Sequence, residues 1–481
     1  MRKLKLLRIP LLVMGFSVPM LTPPLVYALL TEEYGMIVAL GLPALIALAI
    51  SAPMLFFILK RPIQLRGRDG FLLVSLTWVF LSLLGSLPYY LSGAGISFTD
   101  ALFESVCGFA STGATTISDI EGLPRSLLLW RSISHWTGGM GIIVLTVALL
   151  PLLGVGGFQL VKAETPGPEK EKITPKITET AKVLWIVYMA FTLILFCLYL
   201  AGGMDCFDAV CNALAILATG GVSTKNDGLR FYNSAYIDIV TTVFMLLAGF
   251  NFNLYFRILR GKIKDVFYNT EARAYLLIFA AASLIITVSI LPLYGSVDTA
   301  FRYAAFQSAS ILSTTGNAVA NYELWPHLAQ AVLFTLMFIG GCSGSTACGV
   351  KVIRYTVLFK QAMNELRRMI YPRGVFTVQL NNKAGRKDVV YGVAGFMFLY
   401  FFIIFVTTLF TAASGVDIFT SFCAALSILG NVGSGFGGIG PVHNYGFFSD
   451  SVKLLFCFMM IAGRLELWTV FVLLSPGFWR D

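Results

Sequence analysis

The chain has 481 residues, 57% hydrophobic and only 12% charged, with a mean hydropathy of +0.79. Soluble domains carry about 25% charged residues, so the composition excludes a water-soluble fold and implies an all-α integral membrane protein built from many helical spans. The net charge of +10 would suggest nucleic acid in a soluble chain, but 28 of the 35 Lys and Arg fall at the two ends and in four connections on one side, which the positive-inside rule makes cytoplasmic.

Arg2, Lys3, Lys5 and Arg8 precede the first apolar run. No small-x-small cleavage site follows and the run reaches Leu30, so a retained span over 10–30 is expected rather than a signal peptide. A second span over 36–59 and a basic loop over 60–69 complete an N-terminal pair, residues 1–69. The rest of the chain repeats one unit four times: a long apolar span, an apolar half-span, a turn of hydroxyl residues and glycine, and a second long span.

The first repeat, 70–162, has a span at 71–91, a half-span at 100–110, the turn Ser111-Thr112-Gly113-Ala114-Thr115 and a return span at 126–153. A connection at 162–182, rich in Lys, Glu, Pro and Thr, leads to the second repeat, 163–265. Its parts are 183–201, 207–218, the turn Thr219-Gly220-Gly221-Val222-Ser223 and 237–259. The third, 266–370, has 274–293, 300–313, the turn Thr314-Thr315-Gly316-Asn317-Ala318 and a return segment from His327. The fourth, 371–481, has 389–411, 419–429, the turn Asn431-Val432-Gly433-Ser434-Gly435 and 452–474.

A half-span of ten to fourteen residues rises about 15–20 Å, which leaves its carbonyl end, the negative pole of the helix dipole, near the middle of the bilayer. Hydrocarbon tolerates irregular backbone only where it is buried in protein or lines a watery path, so four such turns imply a shared cavity. Glycine can aim successive carbonyl oxygens inward, and rings of carbonyls can replace the hydration shell of potassium. Acidic residues including Asp100, Glu104, Asp208, Asp298 and Asp417 would give the outer face a negative lean that concentrates cations.

Two further features depart from plain spans. The third return segment stops at Gly340-Gly341-Cys342-Ser343-Gly344-Ser345-Thr346-Ala347-Cys348-Gly349, ten positions without a large apolar side chain, so an intramembrane loop is expected there in preference to close helix packing. Arg464 lies inside the last apolar span. A pair with Glu466, two residues on, would need both on one helix face, and a snorkel to the cytoplasmic side is the other bland reading, so a functional placement is expected in preference to either. The three histidines form no hydrolase motif. The G-x-G-x-x-G spacing of Gly433, Gly435 and Gly438 lacks a β-α-β setting, and an enzyme is not expected. The eight cysteines include no C-x-x-C pair and look like small core residues. The nearest rival is an ion-coupled (H+ or Na+) secondary potassium symporter with inverted repeats, but the repeats here share one direction and no Asp or Glu relay lies in the spans.

The motifs 111–116, 218–224, 340–351 and Gly463-Arg464-Leu465-Glu466 together resemble the Trk/Ktr/HKT superfamily of potassium transporters, most closely its bacterial TrkH type. The resemblance covers the whole chain. It implies four pseudo-fourfold M1–pore helix–M2 repeats around a central pore, plus two extra N-terminal transmembrane helices. It further implies K+ as the transported ion, no organic cofactor in this chain, and a filter at Ser111, Thr112, Gly113, Thr219, Gly220, Gly221, Thr314, Thr315, Gly316, Asn431, Val432 and Gly433, with the Thr112, Thr219 and Thr315 hydroxyls as extra oxygens. A gate would comprise Gly340, Gly341, Gly344, Ser345, Thr346, Gly349 and Arg464. In the superfamily a serine at the first filter glycine goes with sodium permeation, so Gly113 favours potassium. The implied setting is a bacterial inner membrane, both termini cytoplasmic, as a homodimer with a cytosolic nucleotide-binding regulatory subunit of TrkA type and lipid, but no nucleic acid, as partners. The chain departs from the family pattern at Ala347 and Cys348, where glycines are expected, and at Ser434, where bacterial relatives often carry proline.

Overall fold

The computed structural model describes residues 8–60, 69–141, 177–381, 383–384 and 387–480. The basic residues before Arg8, the loop 61–68, most of the connection 162–182 and the part of the first return span beyond residue 141 lie outside the described residues. Six described helices are long and apolar enough to cross a membrane: Pro10–Leu30, Tyr34–Met54, Asp69–Tyr90, Val183–Ala201, Thr270–Tyr294 and Val389–Ala413. Most bury a minority of their residues, and large apolar side chains such as Leu277 and Phe398 face outward, as expected when the solvent is hydrocarbon. Asp69–Tyr90 is the exception. The N-terminal pair packs against it and against the helix Arg125–Gly139, and Glu33 in the turn of that pair accepts from Ser126 N at 3.2 Å. Among the described residues the fold is all-helical apart from a two-residue antiparallel pairing of Gln379–Leu380 with Lys383–Ala384.

The four half-spans are the helices Phe98–Ala110, Cys206–Leu217, Val297–Leu312 and Ile418–Gly430. Three start at a side-chain cap, since Ser97, Asp205 and Asp417 accept backbone N–H groups of Asp100, Phe207 and Thr420. All four lead into a left-handed residue: Ser111, Thr219, Thr314 and Asn431 have φ of 52°, 53°, 56° and 51°. Two positions on, a glycine is again left-handed, Gly113 at 83°, Gly221 at 62°, Gly316 at 79° and Gly433 at 87°. This left-handed, ordinary, left-handed sequence of backbone states, repeated in each quarter of the chain, is the most direct statement of the fourfold repeat.

The return segments are broken more widely than the sequence suggested. Only the third was expected to break, yet the second and fourth break as well, and the helices described in the four return segments, the first followed only to residue 141, are short. They are Arg125–Gly139, Ala235–Ala248, His327–Leu336 and Asp450–Arg464, with 15, 14, 10 and 15 residues. Fifteen residues rise about 22 Å against about 30 Å of hydrocarbon. The expected continuous span 237–259 turns by 93° into Phe252–Leu259, and 452–474 turns by 115° into Leu467–Leu474. The second break falls at Gly249-Phe250-Asn251, where Asn251 caps the next helix by accepting from Asn253 N at 2.9 Å. The fourth falls at Glu466, whose φ of 61° no α-helix allows.

Replacing Asn251 by alanine removes that cap and is expected to cost about 1 kcal/mol. Melting of the purified protein in detergent measures it, and an unshifted transition would mean that other contacts hold the break.

Candidate functional site: four turns and the loop beneath them

The four turns meet. A Cβ built on Gly113 falls 2.7 Å from the carbonyl oxygen of Gly220, in the second repeat. One on Gly221 would collide with the oxygen of Thr315, one on Gly316 with that of Val432, and one on Gly433 with that of Thr112. Each glycine of one repeat therefore faces the carbonyl of the middle turn residue in the next, and the fourth returns to the first. The contacts describe a closed ring of four quarters in chain order. Glycine is required here on two counts, the left-handed backbone and the neighbouring oxygen.

The ring carries a concentration of unpaired oxygens. Among the described residues, none of the carbonyls of residues 111–113, 219–221, 314–316 and 431–433 accepts a hydrogen bond. The next carbonyl outward behaves differently: Cys107 Sγ, Ser310 Oγ and Ser427 Oγ reach the oxygens of Ala114, Asn317 and Ser434 at 2.9, 2.6 and 3.1 Å. Each of these side chains stands four residues before the left-handed residue of its repeat. In the second repeat that position is Ala215, which has no such group. An unpaired buried carbonyl costs about 1–3 kcal/mol, and native proteins rarely tolerate it. The four turns gather twelve such oxygens in one ring.

The segment 340–349 is non-helical and touches all four repeats from the side of the pore-helix carbonyl ends. Its neck closes through Gly340 N to Val350 O at 2.9 Å. Cys342 N bonds Gly249 O at 2.8 Å, and Thr346 bonds Ala248 O through its N–H and its hydroxyl, so the break in the second repeat supplies the acceptors that hold the loop. Thr346 Oγ1 also reaches Leu217 O at 3.2 Å, and Cys348 N donates to Thr314 Oγ1 at 2.9 Å. Gly344 and Gly349 are left-handed, with φ of 71° and 70°.

Arg464, 8% exposed, ties this loop to the first repeat. Nη1 donates to Thr346 O at 2.8 Å and lies 3.1 Å from Cys348 Sγ, while Nη2 donates to Gly138 O and Gly139 O, each at 2.6 Å. Those two carbonyls end the helix Arg125–Gly139, so the guanidinium sits at the negative pole of a helix dipole. Among the described residues it has no carboxylate partner. Glu466 instead forms an ion pair with Arg354, whose guanidinium lies 3.8 Å from the ring centroid of Phe396.

Residues 42–479 match the family profile TrkH, described as a cation transport protein. The chain belongs to the TrkH family. It is 39% identical over 479 residues to the Trk system potassium uptake protein TrkH of Halomonas elongata and 37% identical over 476 residues to that of Escherichia coli. Each alignment covers 98% of both chains. The crystal structure of the potassium transporter TrkH from Vibrio parahaemolyticus superposes with a TM-score of 0.89 at 35% identity, covering 99% of both chains.

Within this TrkH-family fold, the twelve residues of the four turns come together in one ring, and Gly340, Gly341, Gly344, Ser345, Thr346, Gly349 and Arg464 come together beneath it. Two expectations change. The Thr112, Thr219 and Thr315 hydroxyls engage protein groups, Asn431 Oδ1 at 3.1 Å, Ala218 O at 2.7 Å and Ser313 Oγ at 2.7 Å. The outer acids are also less free than their number suggests. Asp100 pairs with Lys453 at 2.7 Å, Glu104 with Arg131 at 3.2 Å and Asp208 with Lys225 at 3.5 Å. Two of these pairs, with Asp238–Arg302 at 3.3 Å, bind repeats together or tie the turns to their helices rather than facing water. Ala347 and Cys348 are not left-handed, so neither position needs the glycine that the family pattern suggested.

Sequence reasoning missed Glu271. Buried near the start of Thr270–Tyr294, it accepts from Ser343 N at 2.6 Å and Ile353 N at 3.3 Å, gripping the loop at both ends. Its signal was an acidic residue at the mouth of an otherwise apolar span.

Gly316→Ala is expected to destabilise the protein by about 1–3 kcal/mol, from left-handed strain and the collision with Val432 O. A melting temperature equal to that of the parent would show that the ring can widen without cost.

Proposed function

We propose that the chain carries potassium uptake across a bacterial cytoplasmic membrane through a channel-like pore. The observation that carries this reading is the closed ring of twelve unpaired carbonyl oxygens at the ends of four converging helices. A potassium ion there exchanges its water shell for carbonyls of residues 111–113, 219–221, 314–316 and 431–433, with four helix dipoles favouring its charge. The names of the relatives, potassium uptake proteins, agree with that ion. Because the four turns differ in sequence, the cage is irregular, and discrimination against sodium should be modest.

Segment 340–349 closes the path below the cage, and Arg464 acts there in two ways. Its charge repels a cation over short distances in a poorly polarisable setting. Its bonds to Thr346 O, Gly138 O and Gly139 O also latch the loop to the first repeat. Opening then means moving the loop off these acceptors. The family resemblance extends the proposal to a homodimer, both termini cytoplasmic, regulated by a nucleotide-binding subunit of TrkA type. The basic helix Val352–Ile370, which continues directly from the loop, is the natural lever for such a subunit.

Arg464→Ala is expected to raise basal potassium flux several-fold in reconstituted vesicles, since barrier and latch are lost together. An unchanged flux would refute both roles. Gly113→Ser is expected to lower the potassium-to-sodium permeability ratio, read as a reversal potential under opposed ion gradients. An unaltered ratio contradicts the filter assignment, and a current that follows the proton gradient would replace the channel by an ion-coupled symporter.

A further inference from the structure

Behind the first turn lies an ion pair that is almost wholly buried. Glu104 on Phe98–Ala110 and Arg131 on Arg125–Gly139 are 1% and 3% exposed, with Arg131 Nε 3.2 Å from Glu104 Oε2. Glu104 Oε1 accepts from Thr115 Oγ1 at 2.7 Å and Thr116 N at 2.8 Å, on the strand that leaves Gly113. Arg131 Nη1 reaches across to Ser223 O, on the strand that leaves Gly221, at 3.5 Å. Seven residues before their own left-handed residue, where the first repeat has Glu104, the others have Asn212, Gln307 and Ala424, none of them charged.

That link reaches the second repeat. Its helix has Ala215 at the position from which Cys107, Ser310 and Ser427 tether their own strands, so its turn lacks that internal bond. The approach of Gly113 to Gly220 is also the widest of the four around the ring. The second strand is held to its own helix one residue further on, where Thr224 Oγ1 donates to Asp208 Oδ1 at 2.7 Å, and Arg131 adds a contact from the first repeat at Ser223 O, while Glu104 fixes Arg131 and holds the first strand.

We propose that Glu104 and Arg131 are specificity-determining positioning residues: a charged strap that sets the separation of the first and second turns and so the potassium-to-sodium ratio of the pore. The proposal rests on the filter reading above. Neither residue touches the ion. Loosening the strap lets two of the four oxygen sets follow the smaller ion, which a fixed cage would hold poorly.

The test is the reversal potential of the purified full-length protein in vesicles under opposed potassium and sodium gradients, a quantity that does not depend on how much protein is active. Arg131→Lys keeps a charge beside Glu104 but cannot also reach Ser223, and Glu104→Gln removes the ion pair. Each is expected to lower the permeability ratio about threefold, about 28 mV at 59 mV per tenfold. If both leave the ratio unchanged while Gly113→Ser lowers it, the strap is refuted and the filter stands. If Gly113→Ser also leaves it unchanged, the filter reading falls and the strap with it. Should neither strap variant conduct, Thr115→Val, which deletes the hydroxyl bond to Glu104 and the one accepted from Ile117 N, decides by the same measurement: a lowered ratio supports the strap and an unchanged one overturns it.

Discussion

Carbonyl oxygens without hydrogen-bond donors, gathered at the centre of a protein that sits in hydrocarbon, are the constraint from which the rest of this structure follows. A helix satisfies its own backbone, so a chain that must present bare oxygens at mid-depth has to stop a helix there and turn. The turn needs left-handed residues, and each repeat supplies two, a polar residue or serine that ends the helix and a glycine two positions later. The glycine does more than permit the turn. Its missing side chain is the space into which the next quarter's oxygen fits, so conformational freedom and ring closure depend on the same atom's absence.

The same logic explains the lower half. Four helices returning from the ring would leave an open path if they ran straight through. Instead the second and fourth bend, and the third dissolves into the loop 340–349. The helix ends of the first and second repeats expose carbonyls that hold the loop: Ala248 and Gly249 from the second repeat, Gly138 and Gly139 from the first through Arg464. Arg464 meets those ends with donors in a fixed fork, and among the described residues no carboxylate pairs with it.

Much of this was legible in the residues. Half-spans were visible because an apolar run of ten to fourteen residues between polar patches cannot be mistaken for a full crossing, and their observed ends fall within a few residues of the expected ones. The loop was legible because ten small or polar positions in a row leave no other reading. The bends at Gly249-Phe250-Asn251 and Glu466 were not, since each is two or three residues long and is flanked by side chains as apolar as any span. Hydropathy averages over such a notch. What betrays it is an Asn able to cap a helix, or an acid beside a buried arginine, and both are signals of geometry rather than of polarity. The outer acids misled in the opposite direction: their number suggested an open negative surface, whereas basic partners from distant parts of the chain occupy several of them.

The ring's last contact has a consequence for biosynthesis. Thr112 bonds Asn431, 319 positions later, and Asp100 meets Lys453 across 353 positions. At 5–20 residues per second a ribosome needs roughly 15–70 s to cover that distance. For that interval the first quarter stands inserted in the bilayer with one flank bare and its partner still unmade, an opportunity for chaperones of the translocation machinery and a hazard for any truncated product.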